Sequence, residues 1–345
     1  MRDRERDHDS DLDLEFDVAE LRKVELHLHH EGAAPPEFIR RIAQEKRIDL
    51  GKVFDARGNY AYTDFVDFLR VYEAATEVLK TPEDYARLTT AVLEQSAENG
   101  VIYSETFLSP DFCGGRDVGA WKEYLHAIRE AADAAERNMG IVLRGVITCI
   151  RHFGPDKARA TAACAAETAG DWIVGFGIAG DEAMGKPKDF SYAFDMAREA
   201  GLHLTAHAGE WGGPQSVRDA INDLGVSRIG HGVRAIEDLS LVDQLAESGV
   251  VLELCPGSNV ALRVYPDIAR HPIQMLRERG VKVTVSTDDP PFFHTTMNRE
   301  YEALRTTFSW DREVFAEIAR NSLDAAFCDA DTKAKLAKRL EETPA

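Results

Sequence analysis

The sequence predicts an α/β protein whose parallel strands close into a (β/α)8 barrel of the TIM type, with extra helices between the first and second strands. Short runs rich in β-branched residues alternate with longer amphipathic stretches, which is typical of strand–helix–strand units. Eight such runs occur in the 345 residues, and eight units over this length favour a closed barrel over an open sheet. Polar clusters follow several runs, at the barrel end where active sites lie.

The predicted strands are short, largely apolar runs separated by turn-forming residues or by helical patterns. Asp189–Ala200 and Leu239–Ser248 are examples of amphipathic stretches short enough to be crossover helices. In chain order, the eight predicted strands are Val24–His29, Val101–Leu108, Ile141–Ile150, Ile173–Ile178, Leu202–His207, Ser227–His231, Val250–Cys255 and Val281–Thr287.

The connection between the first two strands is longer than the repeat requires, at about seventy residues. It contains helical patterns around Phe65–Leu79 and Thr81–Asn99, so it is a candidate lid. Phe65, Phe68 and Tyr72 could cover a substrate from this segment, although aromatic residues at helical spacing more often belong to the core.

The first twenty residues differ in composition from the rest of the chain. Residues 1–20 are rich in Asp, Glu and Arg and poor in apolar residues, so they bury too little surface to offset the entropy cost of ordering. We therefore expect a flexible acidic tail at 1–20, followed by a single catalytic barrel domain at 21–345.

The charge and the cysteines restrict the partners and the compartment. A formal net charge of −19 repels nucleic-acid polymers and anionic membranes, which favours a small neutral or cationic ligand. Five scattered cysteines without a CxxC pair indicate reduced thiols, and no run resembles a signal peptide or a membrane span. A cytoplasmic protein is expected, and its oligomeric state is left open.

The first predicted strand ends in two histidines, His27 and His29. Alternation along a strand places both imidazoles on the same face, which suits metal binding. An isolated HxH pair is more often a surface or core feature, but further polar residues follow the fifth, sixth and eighth strands.

These further residues complete a candidate metal site. His207 and Asp288 would join His27 and His29 as ligands of a divalent ion such as Zn²⁺ with an open position for water. Glu210 and His231 remain as catalytic candidates that exchange protons with that water and with a substrate.

The other histidines have simpler interpretations. His8 falls in the tail, and we expect exposed or hydrogen-bonded packing positions for His126, His203 and His271. Three more histidines lie near predicted strand ends, and their roles are left open: His30, His152 and His294.

Six motifs then appear in chain order: KVELHLHHEG at Lys23–Gly32, AGDE at Ala179–Glu182, HAGE at His207–Glu210, RIGHGV at Arg228–Val233, CPGSN at Cys255–Asn259 and STDDP at Ser286–Pro290. Together they resemble the adenosine deaminase family of the amidohydrolase superfamily, over nearly the whole chain after the tail. The resemblance implies zinc-dependent hydrolytic deamination of a 6-aminopurine, with adenosine, converted to inosine and ammonia, as the leading substrate.

The resemblance also implies roles for individual residues. It makes Glu210 the proton donor to purine N1 and His231 the group that orients and helps deprotonate the attacking water. Asp289 would bind purine N7, and the backbone of Gly180 would donate to N3. The predicted substrate contacts are therefore His29, Glu31, Gly180 and Asp289. Since Glu210 must begin protonated, its pKa must be raised.

One departure from the family pattern concerns the substrate. Where adenosine deaminases commonly have Leu-Asp-Gly, this chain has His30-Glu31-Gly32. The family's acidic residue faces the ribose, and glutamate there is common in relatives that deaminate adenine or aminodeoxyfutalosine. Deamination of either compound is therefore the alternative prediction, and His30 is expected to point away from the site.

Two further alternatives belong to other functional classes. A metal-dependent phosphoesterase would need two or three metals and basic residues for phosphate. Superfamily relatives with two metal ions usually have a lysine that bridges them at the end of the fourth strand. The fourth predicted strand and its end, Ile173–Gly180, contain no lysine, which favours one Zn²⁺ per chain. A catalytically inactive barrel is disfavoured because every expected ligand and Glu210 are present.

Overall fold

The computed structural model describes residues 16–342 and contains an eight-stranded, all-parallel sheet in chain order. Each strand is hydrogen-bonded to the next, as a (β/α)8 barrel requires. The predicted fold class is therefore confirmed. The strands are β1 Lys23–His29, β2 Val101–Leu108, β3 Val142–Ile150, β4 Ile173–Ala179, β5 His203–Ala208, β6 Arg228–His231, β7 Val251–Leu254 and β8 Val283–Val285.

The helices surround the strands and supply the connections. The extra helices between β1 and β2 are present, as predicted. The helices are α1 Pro36–Lys46, α2 Phe65–Thr76, α3 Pro82–Glu98, α4 Val118–Met139, α5 Pro155–Ala166, α6 Ser191–Glu199, α7 Gly213–Asp219, α8 Leu239–Ser248, α9 Pro256–Ala261, α10 Ile273–Glu278, α11 Pro290–Phe293, α12 Met297–Phe308, α13 Arg312–Ala325 and α14 Ala330–Glu341.

The barrel closes between β1 and the segment that follows β8. The backbone N–H of Asp288 donates to the carbonyl of His27 at 3.1 Å, and the N–H of His29 donates to the carbonyl of Asp288 at 3.0 Å. The hydroxyl oxygen of Ser286 accepts from the N–H groups of Leu26 and His27, each at 3.2 Å. This closure places the end of β8 directly beside the paired histidines of β1.

The strand β8 is shorter than the predicted run Val281–Thr287. It ends at Val285 because Ser286 uses its side chain, instead of its backbone, to meet β1. Asp288 then adopts a left-handed backbone with φ of 67°, which no regular strand contains. The turn directs the Asp288 carboxylate into the barrel mouth.

Residues 16–20 were predicted to belong to the flexible tail, and the structure contradicts this part of the prediction. Phe16 and Val18 are buried, and the ring of Phe16 packs against Phe315 with centroids 6.1 Å apart. A single 3-10 turn, Val18–Glu20, leads into β1. The apolar side chains of Phe16 and Val18 provide enough buried surface to order this stretch. The remainder of the predicted tail, 1–15, lies outside the described residues.

All five cysteines are buried and free, in agreement with the prediction of unpaired thiols. Among residues 16–342, we find no helix long and apolar enough to cross a membrane.

Candidate active site

The four predicted metal ligands meet at the carboxyl end of the barrel. His27 and His29 come from β1, His207 from β5, and Asp288 from the turn after β8. One potential ligand atom from each of the four lies within 4.8 Å of the others. Nε2 of His29 is 3.1 Å from Nε2 of His207 and 3.3 Å from Oδ1 of Asp288.

These residues fit a tetrahedral metal ion by their spacing and by one unsatisfied atom. Zinc bonds to histidine nitrogen at about 2.0–2.1 Å, which puts neighbouring ligand atoms of a tetrahedron roughly 3.3 Å apart. His27 Nε2 is 3.4 Å from Oδ1 of Asp288, and it is buried without a hydrogen-bond partner. A buried polar atom without a partner costs free energy, and a metal ion would satisfy it.

A second possible ligand group consists of His231, Cys255 and Asp288, so it shares Asp288 with the first. Burial raises the pKa of the Cys255 thiol well above its ordinary value. Metal binding needs the thiolate form, and this group offers only three ligand residues against the four of the first group. The three histidines with Asp288 are the better donor set.

Glu253 fixes the orientation of His27. Its Oε2 accepts from His27 Nδ1 at 2.8 Å, which leaves Nε2 of that ring free to face the other ligands. Its Oε1 pairs with Nε of Arg228 at 2.6 Å, and Arg228 also pairs with Glu105 at 2.7 Å. This buried network compensates the charge of Glu253. No motif of the sequence pointed to Glu253, because this residue lies inside β7.

The predicted proton donor, Glu210, is buried beside the ligand cluster. Burial, together with the nearby carboxylate of Asp288, raises the pKa of Glu210 well above its ordinary value. The structure therefore supplies the raised pKa that a protonated Glu210 needs.

Glu182, the last residue of AGDE, holds the loop that carries Glu210. It accepts from the backbone N–H groups of Gly209 at 2.6 Å, Glu210 at 3.1 Å and Trp211 at 2.7 Å, and from the hydroxyl of Ser216. Burial alone would raise the pKa of Glu182, but these donors hold it below its ordinary value. Glu182 is therefore an ionised anchor for the loop, a role that the motif alone did not reveal.

Asn259, the last residue of CPGSN, links the two catalytic candidates. Its amide nitrogen donates to Oε1 of Glu210 at 3.1 Å and lies 3.3 Å from Nδ1 of His231. Its amide oxygen is 3.1 Å from Nε2 of His271. Burial lowers the pKa of His231 to about 4, so its imidazole is neutral and able to accept a proton. The neighbouring Ser258 donates to Asp288 at 2.6 Å.

Asp289 and Gly180 line the cavity above the ligand cluster, as their predicted roles require. Oδ1 of Asp289 is buried without a hydrogen-bond partner, and burial beside the carboxylate of Asp288 raises the pKa of Asp289 well above its ordinary value. Gly180 has a φ of 94°, and a Cβ there would lie 2.7 Å from Nδ1 of His152. Only glycine therefore fits beside His152.

The cavity is narrow, with a volume of about 70 Å³, and helix α2 covers it. Pockets for drug-sized ligands usually measure about 300–1,000 Å³, so this cavity is small by comparison. Phe65, Phe68 and Tyr72 of α2 were predicted to cover a substrate or to belong to the core. All three line the cavity, and Phe68 also packs in the core against Phe292 and Phe293. The α2 residues that line the cavity are Phe65, Phe68, Leu69, Tyr72 and Glu73.

Glu31, a predicted substrate contact, is absent from the residues that line this cavity. Its carboxylate accepts from the hydroxyls of Tyr85 at 2.9 Å and Tyr72 at 3.3 Å, and Tyr72 stands between Glu31 and the cavity. Glu31 therefore influences the cavity indirectly, by accepting a hydrogen bond from the Tyr72 side chain that lines it. Burial raises the pKa of Glu31 to about 7.

The remaining histidines differ in burial and in whether they line the cavity. His30 is buried, with its Nε2 2.9 Å from the hydroxyl of Thr89, so it points away from the site as expected. His126 and His203 are exposed, while His271 is buried and bonded to Asn259, in line with the prediction. His294 is exposed outside the cavity, whereas His152 lines the cavity wall. His8 lies outside the described residues.

A parallel barrel with three histidines and an aspartate at its mouth, beside a protonated carboxyl and a neutral imidazole, defines a metal-dependent hydrolase of the amidohydrolase type. The sequence model of the adenosine deaminase family matches residues 22–343. The chain belongs to this family, whose members are hydrolases that act on C–N bonds of cyclic amidines.

Individual relatives agree with this assignment. The chain is 47% identical over 323 residues to an adenine deaminase of Rhizobium rhizogenes, covering 94% of this chain and 100% of the relative. Its fold matches the crystal structure of an adenine deaminase from Arthrobacter aurescens with a TM-score of 0.85 and 32% identity, over 92% and 97% of the two chains. An amidohydrolase from Burkholderia ambifaria with bound Zn matches with a TM-score of 0.84 and 28% identity, over 94% and 90%.

Proposed function

We propose that this protein hydrolyses the free base adenine to hypoxanthine and ammonia. The observation that carries the proposal is the similarity to proteins named adenine deaminases, two of which are 47% and 45% identical over 94% of this chain. Two features of the structure support it: the cavity above the ligand cluster is small, and Glu31 stands behind Tyr72 instead of facing a sugar. The leading sequence prediction, adenosine, is not supported, and the alternative prediction of adenine is preferred.

The proposed metal site consists of His27, His29, His207 and Asp288, with one Zn²⁺ per chain. When bound there, zinc would lower the pKa of a water molecule towards about 7 and so supply the nucleophile. Of these ligands, His29 also lines the cavity and would contact the substrate. The neutral imidazole of His231 would orient this water and accept its proton.

The residues around the cavity would hold the purine. The protonated carboxyl of Glu210, held by Asn259, would donate to N1 and offset the negative charge that develops as the C6–O bond forms. The raised pKa of Asp289 makes its carboxyl a donor for N7, and the backbone N–H of Gly180 would donate to N3. The proton that His231 took from the water would then pass to the amino group, so that ammonia leaves as the C6–N bond breaks. The C6 hydroxyl would return a proton to Glu210 as the carbonyl forms.

The first test is ammonia release by zinc-loaded enzyme from adenine, adenosine, 2′-deoxyadenosine and aminodeoxyfutalosine, each measured separately. We expect the highest kcat/KM with adenine. The Glu210→Gln variant keeps the shape of the side chain but lacks the transferable proton, so its activity should fall by about 10²–10⁴-fold. A higher kcat/KM with adenosine would restore the nucleoside prediction, and no release from any of the four would reject this proposal.

A further inference from the structure

The wall of the cavity contains a carboxylate, that of Glu73, which the proposed chemistry does not use. The α2 residues Phe65, Phe68, Leu69, Tyr72 and Glu73 form one face of the helix, because they occupy positions i, i+3, i+4, i+7 and i+8. We call this face the roof. Glu73 is its only charged member, whereas the other carboxylates of the cavity lie near the metal ligands.

The roof carboxylate has a fixed partner on the barrel wall. Nε2 of His152 lies 3.2 Å from Oε1 of Glu73, and Nδ1 of His152 accepts from the backbone N–H of Asp181 at 3.2 Å. Because Nδ1 accepts, the proton on Nε2 is donated to Glu73. His152 therefore holds the Glu73 carboxylate on the side of the cavity where Gly180 lies, since a Cβ on Gly180 would be 2.7 Å from Nδ1 of His152.

The orientation of a purine in this cavity follows from its reacting atom. The amino-bearing carbon C6 must face the ligand cluster and Glu210 at the bottom of the cavity. N9 and N3 are bonded to the same ring carbon, so a base whose N3 faces Gly180 presents N9 towards the neighbouring His152 and Glu73. A free 6-aminopurine carries an N–H at this position in its common tautomer, whereas a nucleoside carries a sugar there and has no proton to donate.

We propose that Glu73, held by His152, accepts a hydrogen bond from the N9–H of the free base and thereby selects adenine against N9-substituted adenines. This inference rests on the proposed function and names the specificity-determining residue of the same site. A carboxylate only accepts hydrogen bonds, so a substituent at N9 removes this bond and brings bulk against the roof, while Glu73 keeps its contact with His152.

The test compares kcat/KM for adenine and 9-methyladenine, which differ only by a methyl group in place of the N9 proton. In the Glu73→Ala variant we expect kcat/KM for adenine to fall about tenfold or more, as for loss of a hydrogen bond to a charged group. The value for 9-methyladenine should stay unchanged or rise, so the ratio of the two falls by at least the same factor. Glu73→Gln retains an acceptor oxygen and should lose less.

Glu77→Ala is the matched control, since Glu77 is an exposed acid one turn further along that does not line the cavity. Inhibition constants of purine and 9-methylpurine give the same comparison where turnover of the methylated base is too slow to measure. An unchanged ratio in Glu73→Ala, or an equal loss with both bases, would overturn the inference. Failure of the wild-type enzyme to deaminate adenine would instead reject the proposed function itself.

Discussion

Two glutamates show how burial and partners assign different roles to the same residue type. Glu182 faces three backbone N–H groups and a hydroxyl, so its carboxyl is held in the ionised form. Glu210 lies beside another carboxylate with a single amide donor, so its proton is retained. Both residues occur in motifs of the sequence, but only their surroundings separate an anchor from a proton donor.

The hydrogen bond between the Glu253 carboxylate and Nδ1 of His27 should affect the affinity for zinc. Replacing Glu253 with Gln removes the carboxylate that fixes His27 Nδ1, and such changes typically weaken metal binding about 10–100-fold. Competition between the protein and a zinc-binding dye measures this affinity. The exposed Glu247→Gln change serves as the control and should leave the affinity at the wild-type value. Wild-type zinc affinity in a folded Glu253→Gln variant would contradict the orienting role.

At the scale of elements, segments with strong local signals were predicted closely, whereas the bounds of β8 were not. Helix α3 runs over Pro82–Glu98 where the helical pattern Thr81–Asn99 was predicted, and Thr81 and Asp84 bond to each other's backbone at its start. The strand β8 has three residues, and its end depends on the contact of Ser286 with β1. Because that contact joins opposite ends of the chain, no local pattern could place the end of β8.

Helix α12 supports the site through Glu300, whose carboxylate accepts from the N–H of Gly257 in α9 at 2.9 Å and from the hydroxyl of Thr295. Burial raises the pKa of Glu300 to about 7 from an ordinary 4.5. Its folded-state pKa is raised, so its contribution to stability is complete below about pH 4.5 and is lost as the pH rises through about 7.

The wild type should therefore lose unfolding free energy between about pH 5 and about pH 8 that the Glu300→Gln variant keeps. The difference in unfolding free energy, variant minus wild type, should rise over this range by an amount on the order of 1–3 kcal/mol. Urea unfolding of both proteins at the two pH values measures this difference. The exposed acid Glu302 lies on the same helix, and Glu302→Gln should show a much smaller change. An equal stability difference at both pH values would show that Glu300 titrates normally.

At the scale of the whole molecule, the barrel brings ligands from β1, β5 and the end of β8 to one point. A metal ion bound there would connect β1 with the turn after β8, where the barrel also closes. An ion that binds only the folded state would add its binding free energy to the stability of the barrel.

Removal of the metal should lower the melting temperature. Zinc at about 100 times its dissociation constant stabilises a folded protein by about 2.7 kcal/mol, which corresponds to about 4 °C for a chain of this size. Thermal unfolding of chelator-treated and zinc-reconstituted protein measures the shift. Glu210→Gln keeps all four ligands and should show the full shift, whereas Asp288→Ala should show little. Equal melting temperatures with and without zinc in the wild type would contradict the metal site.

The sequence by itself determined the eight-unit barrel, the extra helices and the residue types at the strand ends, because alternation, helical periodicity and short motifs are local properties of the chain. The tertiary structure alone decided that Glu31 lies behind Tyr72, that Glu253 orients His27, and that Glu73 faces the cavity. These relations join side chains that are distant in sequence. They depend on packing and on backbone turns such as the one at Asp288, which no local pattern encodes.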